Sequence, residues 1–212
     1  MQRALTPAAT PATPSSFAVM GLLRRGGDSG GRVEWLVVGL GNPGGKYART
    51  RHNVGFEVCA LAAERWELPR AKKRYAGLYT DGRTGPGGPR VAVLLPQTFM
   101  NEAGRSAGPA RGALGVDLDQ LVVVHDEIDL PFGRVEARLG GGLAGHNGLK
   151  SLKRELGGPD FHRIRVGVGR PASTDPEIVS AWVLGNFAEP QAEVRGLVEE
   201  AAQELERLIT VT

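Results

Sequence analysis

Apolar and polar positions alternate in blocks along the chain, and each block has one of two periods. Runs at 36–38, 91–95, 121–124 and 164–168 are short and apolar-rich, the pattern of strands buried on both faces. Elsewhere the apolar positions recur every three or four residues. Val54, Val58, Leu61 and Ala62 predict a helix over 53–66, and Val194, Leu197, Val198, Ala201, Leu205 and Leu208 predict a longer one near the end. Helices are also expected over 101–114, where glycines weaken the pattern, over 147–156 and over 176–183. Two more polar strands complete the set: an edge strand from Ala71 through Tyr79, opening on Lys72-Lys73-Arg74, and an alternating one over 134–139. Glycine- and proline-rich turns separate them at 82–89 and 140–142. The order of elements predicts one α/β domain over 34–212, with a twisted mixed, largely parallel sheet flanked by helices.

Residues 1–33 are of another kind. ALTPAATPATPSS and RRGGDSGG lack any hydrophobic period and read as a low-complexity, disordered extension. The stretch lacks the apolar core of a secretory signal; its basic, hydroxyl-rich character weakly resembles a transit peptide, and Met20 is an alternative start. The single Cys59 excludes an intramolecular disulfide framework, fits a reducing compartment and falls on the apolar side of a helix, as a core residue would. No apolar run is long enough for a membrane span, and a cytoplasmic location is expected.

The net charge of +3 hides an asymmetry. Four arginines against Asp28 in the extension account for all of it. Residues 33–170 carry twenty Lys/Arg against fourteen Asp/Glu, whereas 171–212 carry two against eight. A basic body suits a polyanionic partner, with the acidic end turned elsewhere.

Three of the buried strands end in polar chemistry: GLGNPG after Val38, PQTFMN after Leu95 and HDEIDLPFG after Val124. Ligands of open α/β sheets bind outside the carboxyl ends of the strands. If the three are parallel neighbours, Asn42, His52, Asn101, Asp126 and the Gly145-His146-Asn147 triplet share one crevice. An imidazole, a carboxylate and several amides are the parts needed to activate water and hold a carbonyl.

These segments carry a resemblance. GLGNPG, YARTRHNVG, PQTFMN, HDEIDLPFG, GGGLAGHNGLKSL, FHRIRVGVGRP and VLGNF occur in the order and spacing of bacterial-type peptidyl-tRNA hydrolases, from Trp35 to about Ala201. The resemblance implies an enzyme that hydrolyses the ester between a peptide, or an N-blocked amino acid, and the 3′ end of tRNA dropped from ribosomes. It implies a single α/β domain, no cofactor, no metal and a monomer. By position, His52 matches the general base toward water and Asp126 the carboxylate that orients it. Asn42 and Asn101 match amides that hold the 3′ adenosine and peptide carbonyl, and Asn147 one that positions water or peptide. Tyr47, Phe99 and Met100 would line the pocket for the CCA end. Arg138 and Arg165 match the clamp on the 5′ phosphate beside the acceptor stem. Leu143-Ala144 departs from the family's usual His-Gly in the loop before Gly145.

Other readings of the same residues are weaker. Gly39-x-Gly41-x-x-Gly44 satisfies a dinucleotide fingerprint, but no strand ends in an acidic residue about twenty positions on. A metallohydrolase using His125, Asp126, Glu127 and His146 lacks any established ligand spacing. No GxSxG elbow exists for a serine hydrolase. Binding without catalysis needs neither His52 nor Asp126. His125 and His146 read as loop histidines satisfied by backbone carbonyls. Of Arg163 and Arg165, two apart on one strand face, one is expected to be structural. Lys150, Lys153 and Arg154 form either a solvated helix face or a tRNA contact.

Overall fold

The strand runs point successive side chains to opposite faces of a single sheet, and each face has its own core. In this computed structural model, which describes residues 31–211, the elements in chain order are β1 (Trp35–Gly39), α1 (Val54–Arg65), β2 (Lys72–Arg74), β3 (Gly77–Arg83), β4 (Arg90–Pro96), α2 (Gly104–Leu114), β5 (Leu121–Glu127), β6 (Val135–Leu139), α3 (Asn147–Leu156), β7 (His162–Gly167), α4 (Pro176–Leu184) and α5 (Gln191–Val211). All but the last three residues of the expected 1–33 extension lie outside the described residues.

Seven strands form one sheet in the order β2-β3-β4-β1-β5-β7-β6. The inner four, β4, β1, β5 and β7, are mutually parallel; β3 and β6 pair antiparallel with β4 and β7 on the two sides, and β2 pairs antiparallel with β3 at the outer edge. Trp35, Val37, Val122 and Val124 pack with Val58, Ala62, Val198 and Leu205 under α1 and α5. Leu36, Val38, Leu121 and Val123 pack with Ala107, Leu149, Leu152 and Phe161 under α2 and α3. Cys59 is fully buried in the first of these cores, and burial pushes its thiol up. The fold is the expected α/β one.

One expected element divides in two. The edge strand drawn through 71–79 is a hairpin, because Tyr75 and Ala76 take positive φ (53° and 51°) and turn the chain back at Gly77. Such a turn normally advertises itself with Asn-Gly or Asp-Gly, and here it does not. The exposed Lys72, Lys73 and Arg74 on the outermost strand discourage further strand addition. Among the described residues no helix is long and apolar enough to cross a membrane.

Because β4, β1 and β5 are parallel neighbours, their carboxyl ends open on the same side. The loop after β1 returns through two short 3-10 turns, Gly45–Tyr47 and Arg51–Asn53, straight into α1. Gly55 makes that return tight: a Cβ there would lie 2.3 Å from the Val124 carbonyl oxygen and 2.6 Å from that of Leu40. Only glycine lets the start of α1 rest on the ends of β1 and β5, and this close approach sets His52 over β5.

Candidate active site

His52 sits in the turn before α1, and Asp126 is the sixth residue of β5. Both are buried, and His52 Nδ1 lies 2.8 Å from Asp126 Oδ1. The carboxylate accepts, so Nδ1 donates and the Nε2 lone pair is left for another partner. Burial alone would lower the affinity of His52 for a proton, and burial alone would raise that of Asp126. Their mutual attraction overrides both: the imidazole is held above its ordinary value of 6.5 and the carboxyl well below the usual range. The base is therefore more basic than a free imidazole.

Two further imidazoles surround the pair. His146 precedes the first residue of α3, and its Nε2 lies 3.0 Å from the same Asp126 Oδ1. Its Nδ1 accepts the Gly148 and Leu149 N–H groups at 3.1 and 3.4 Å, capping the helix. His125 donates from Nδ1 to the Asp126 carbonyl oxygen at 2.7 Å, while its Nε2 is buried without a partner among the described residues. Burial, with His146 and Arg163 nearby, pushes His125 down to about 3, so it is neutral. His125 thus bonds a backbone carbonyl through Nδ1 as expected, though from strand β5 rather than a loop and with Nε2 left unpaired among the described residues; His146 departs from the expectation, since it bonds the buried carboxylate.

His52, Asp126 and His146 bring donor atoms within 4.8 Å of one another, as a metal site would require. The cap argues against that use. His146 Nδ1 takes two N–H groups, so its single proton is on Nε2, aimed at Asp126, and no lone pair remains there for an ion.

The amides divide into buried and exposed. Asn42 is buried; its Oδ1 accepts the Met100 N–H at 2.8 Å, its backbone N–H reaches Asn53 Oδ1 at 2.9 Å, and its carbonyl accepts from Asn53 Nδ2 at 2.9 Å. With Oδ1 spent, the NH2 end of Asn42 is the uncommitted one. Asn101 and Asn147 are exposed, and their side chains make no hydrogen bond among the described residues. They belong to neighbouring rims, because Gly148 beside Asn147 lets Met100 beside Asn101 approach: a Cβ at Gly148 would meet Met100 Sδ at 2.6 Å. Met100 is buried, Phe99 is 56% exposed, and Tyr47 is half-buried under Lys46 Nζ, 4.7 Å from its ring centre.

Along β6 and β7 lies a second group, around a cavity of about 270 Å³ bounded by Arg138, Arg163, Arg165, Glu127 and Asp129. Arg163 is the structural one of its pair: it is buried and donates to the Gly142 and Gly141 carbonyls at 2.6 and 2.9 Å. Arg165 is also committed, to Glu127 at 3.1 Å and Glu136 at 2.8 Å. Arg138 is exposed and lies against Gly141. In the adjoining loop Leu143 packs on the second core and Ala144 takes φ 46°, a conformation that glycine adopts with less strain. A larger depression of about 680 Å³ lies elsewhere, beside Trp35, Arg83 and Asp119, and holds none of the candidate residues.

Residues that sequence reasoning did not single out hold the rest in place. Asn53 closes the loop on Asn42, as above. Arg51 is buried, donates to the carbonyls of Trp182 and Asn186 at 3.3 and 2.7 Å, and stacks 3.9 Å over the Trp182 ring. It ties the turn that carries His52 to the VLGNF segment. Its position beside His52 and the aromatic VLGNF stretch were the available signals.

Comparison with known proteins bears on the chain as a whole. A family model described as peptidyl-tRNA hydrolase matches residues 36–212. The chain is 49% identical over 162 residues to a peptidyl-tRNA hydrolase of Geobacter metallireducens, covering 76% of this chain and 80% of that one. It is 46% identical over 177 residues to one of Mycobacterium avium, covering 82% and 90%. The crystal structure of peptidyl-tRNA hydrolase from Acinetobacter baumannii superposes with a TM-score of 0.75 at 35% identity, over 85% of this chain and 91% of that one. A match that spans nearly every described residue, on a fold that closes His52 onto Asp126, leaves one conclusion: the chain belongs to the peptidyl-tRNA hydrolase family.

Proposed function

We propose that this peptidyl-tRNA hydrolase works through a water molecule activated by His52. The observation that carries the reading is the buried 2.8 Å bond from His52 Nδ1 to Asp126 at the carboxyl ends of the parallel strands. It fixes the tautomer that presents Nε2 as the base. In the reaction, Nε2 takes a proton from water as its oxygen adds to the ester carbonyl, and the tetrahedral adduct then expels the 3′ oxygen of the terminal ribose. That oxygen recovers the proton from His52, leaving free peptide and free tRNA. Asp126 stabilises the imidazolium between the two steps.

The uncommitted NH2 of Asn42, with Asn101 and Asn147 on the rims, supplies donors for the carbonyl and the terminal adenosine, and Tyr47, Phe99 and Met100 give these an apolar bed. Arg138 meets the 5′ phosphate, with Arg165 in support; the fork geometry of arginine suits a phosphate. The family resemblance supports a monomeric, cytoplasmic enzyme.

The test is release of peptide from an N-blocked aminoacyl-tRNA, wild type against His52→Ala, with EDTA throughout. The base assignment requires a fall of about 10²–10⁴-fold in the variant and no response to chelation. A variant within a few-fold of wild type would sink it. Inhibition by EDTA would restore the metal reading.

A further inference from the structure

We propose that His146 is a positioning residue: the first turn of α3 locks its tautomer, so that it donates to the same Asp126 oxygen as His52 and limits how tightly the base holds its proton. The proposal rests on the reading of His52 as the base.

The lock comes from helix geometry. The first N–H groups of a helix have no partner within it, and in α3 two of them, from Gly148 and Leu149, point at His146 Nδ1. A proton on Nδ1 would face both donors and the positive end of the helix dipole, so the ring carries its hydrogen on Nε2 alone. That hydrogen has one acceptor, Asp126 Oδ1 at 3.0 Å.

The consequence lies in the sharing. Asp126 Oδ1 receives both His52 Nδ1–H and His146 Nε2–H. Each donor draws charge from that oxygen, so the one from His146 weakens the pull on the His52 imidazolium. The groups facing this cluster from the packed elements are few. The imidazole of His52 stands 5.0 Å from that of His146, and the neutral ring of His125 on β5 stands edge-on to His146 at 5.1 Å. Arg163 on β7 acts on His125 rather than on the shared oxygen. Asp126 is the single anion among these groups. His146 also joins the shared oxygen to the helix that begins with Asn147. The substrate rim and the base are thereby linked through one ring.

His146→Asn separates the two roles of the ring. Asparagine is a good N-cap and keeps an acceptor for the Gly148 N–H, but it is too short to bond Asp126. Two readouts in the full-length chain decide: the NMR titration of the His52 ring, and the pH profile of kcat/KM on N-blocked aminoacyl-tRNA. Both midpoints are expected to rise by roughly half a unit to one unit, with the rate at pH 6 falling several-fold and recovering near pH 8.5. A loss of equal size at every pH, with the His52 midpoint unmoved, would show a purely structural role and overturn the proposal. Should the variant fold poorly, ¹⁵N spectra of the wild type answer alone: a His146 ring that carries hydrogen on Nδ1 or on both nitrogens also overturns it. If His52→Ala remains active, the base assignment has failed, while the His52 titration still reports on the pairing through Asp126.

Discussion

The His52–Asp126–His146 cluster and the arginine group of β6 and β7 use opposite electrostatic strategies, and the β5–β7 register points Asp126 and Arg165 to opposite faces of the sheet. In the first, a single carboxylate is buried and each partner is held in place: His52 by the turn that Arg51 anchors, His146 by its own bond to the cap of α3. In the second, three cations stand beside Glu127, Asp129 and Glu136, with Arg138 and Glu136 open to solvent. Buried charge pairs resist salt and respond to pH, whereas exposed ones are screened within about 8 Å at physiological ionic strength. On the function proposed above, the contrast separates a site for proton transfer from one that attracts a polyanion.

The sharpest way to break that contrast is Asp126→Asn. Without the carboxylate, burial is left as the main influence on His52 and drives its proton affinity below the ordinary value. With the neutral ring as the active form in the proposed mechanism, the acid limb of kcat/KM is expected to move to lower pH, opposite to the shift expected for His146→Asn, while the plateau falls about 10²–10⁴-fold. Stability follows the same signs. The raised His52 stabilises the fold at acid pH and ceases to do so as pH rises through its folded value. The depressed Asp126 stabilises it above the ordinary carboxylate range and ceases to do so only in strong acid. A pH–rate profile together with acid titration of the variant checks both; an acid limb that stays in place would mean Asp126 does not set the affinity of the base.

How much of this could be read from the chain depends on the distance between partners. The four inner strands announce themselves because burial on both faces leaves apolar runs, and glycines and amides at their ends mark the loops that carry His52 and Asn42. The hairpin at Tyr75-Ala76 was hidden, since its left-handed turn uses residues that favour no such turn. His146 was legible as a residue but not as a donor to Asp126, because its tautomer is decided by the first turn of α3. The pairing of Arg165 was equally hidden: Glu136 faces it only through the β6–β7 register, and Glu127 arrives from the far side on β5.

On the arginine side, the larger effect belongs to Arg138→Ala. A phosphate reading expects KM to rise about ten-fold for tRNA with a 5′ phosphate and about two-fold or less without it, with a shallower dependence of binding on salt. Equal losses for the two substrates would remove Arg138 from the phosphate and leave it a general surface charge.

The smallest expected effect concerns the exposed partner of Arg165. Glu136 holds Arg165 Nη1 at 2.8 Å with its own side chain 41% exposed, while Glu127 holds Nε at 3.1 Å and is 5% exposed. Removing the exposed partner therefore costs little stability, since such pairs contribute about 0–1 kcal/mol. Removing the buried one would leave Arg165 short of a partner in a desolvated place. Glu136→Gln takes a negative charge from Arg165, which lines the 270 Å³ cavity, and frees one edge of its guanidinium. KM for 5′-phosphorylated substrate is expected to fall about two- to five-fold at low salt, and the gain to vanish at several hundred millimolar, where screening shortens to a few ångströms. Thermal unfolding should shift little. A gain that persists at high salt, or appears equally with dephosphorylated tRNA, would place the effect outside the anion cavity; no gain at all would mean that Arg138 meets the phosphate without Arg165.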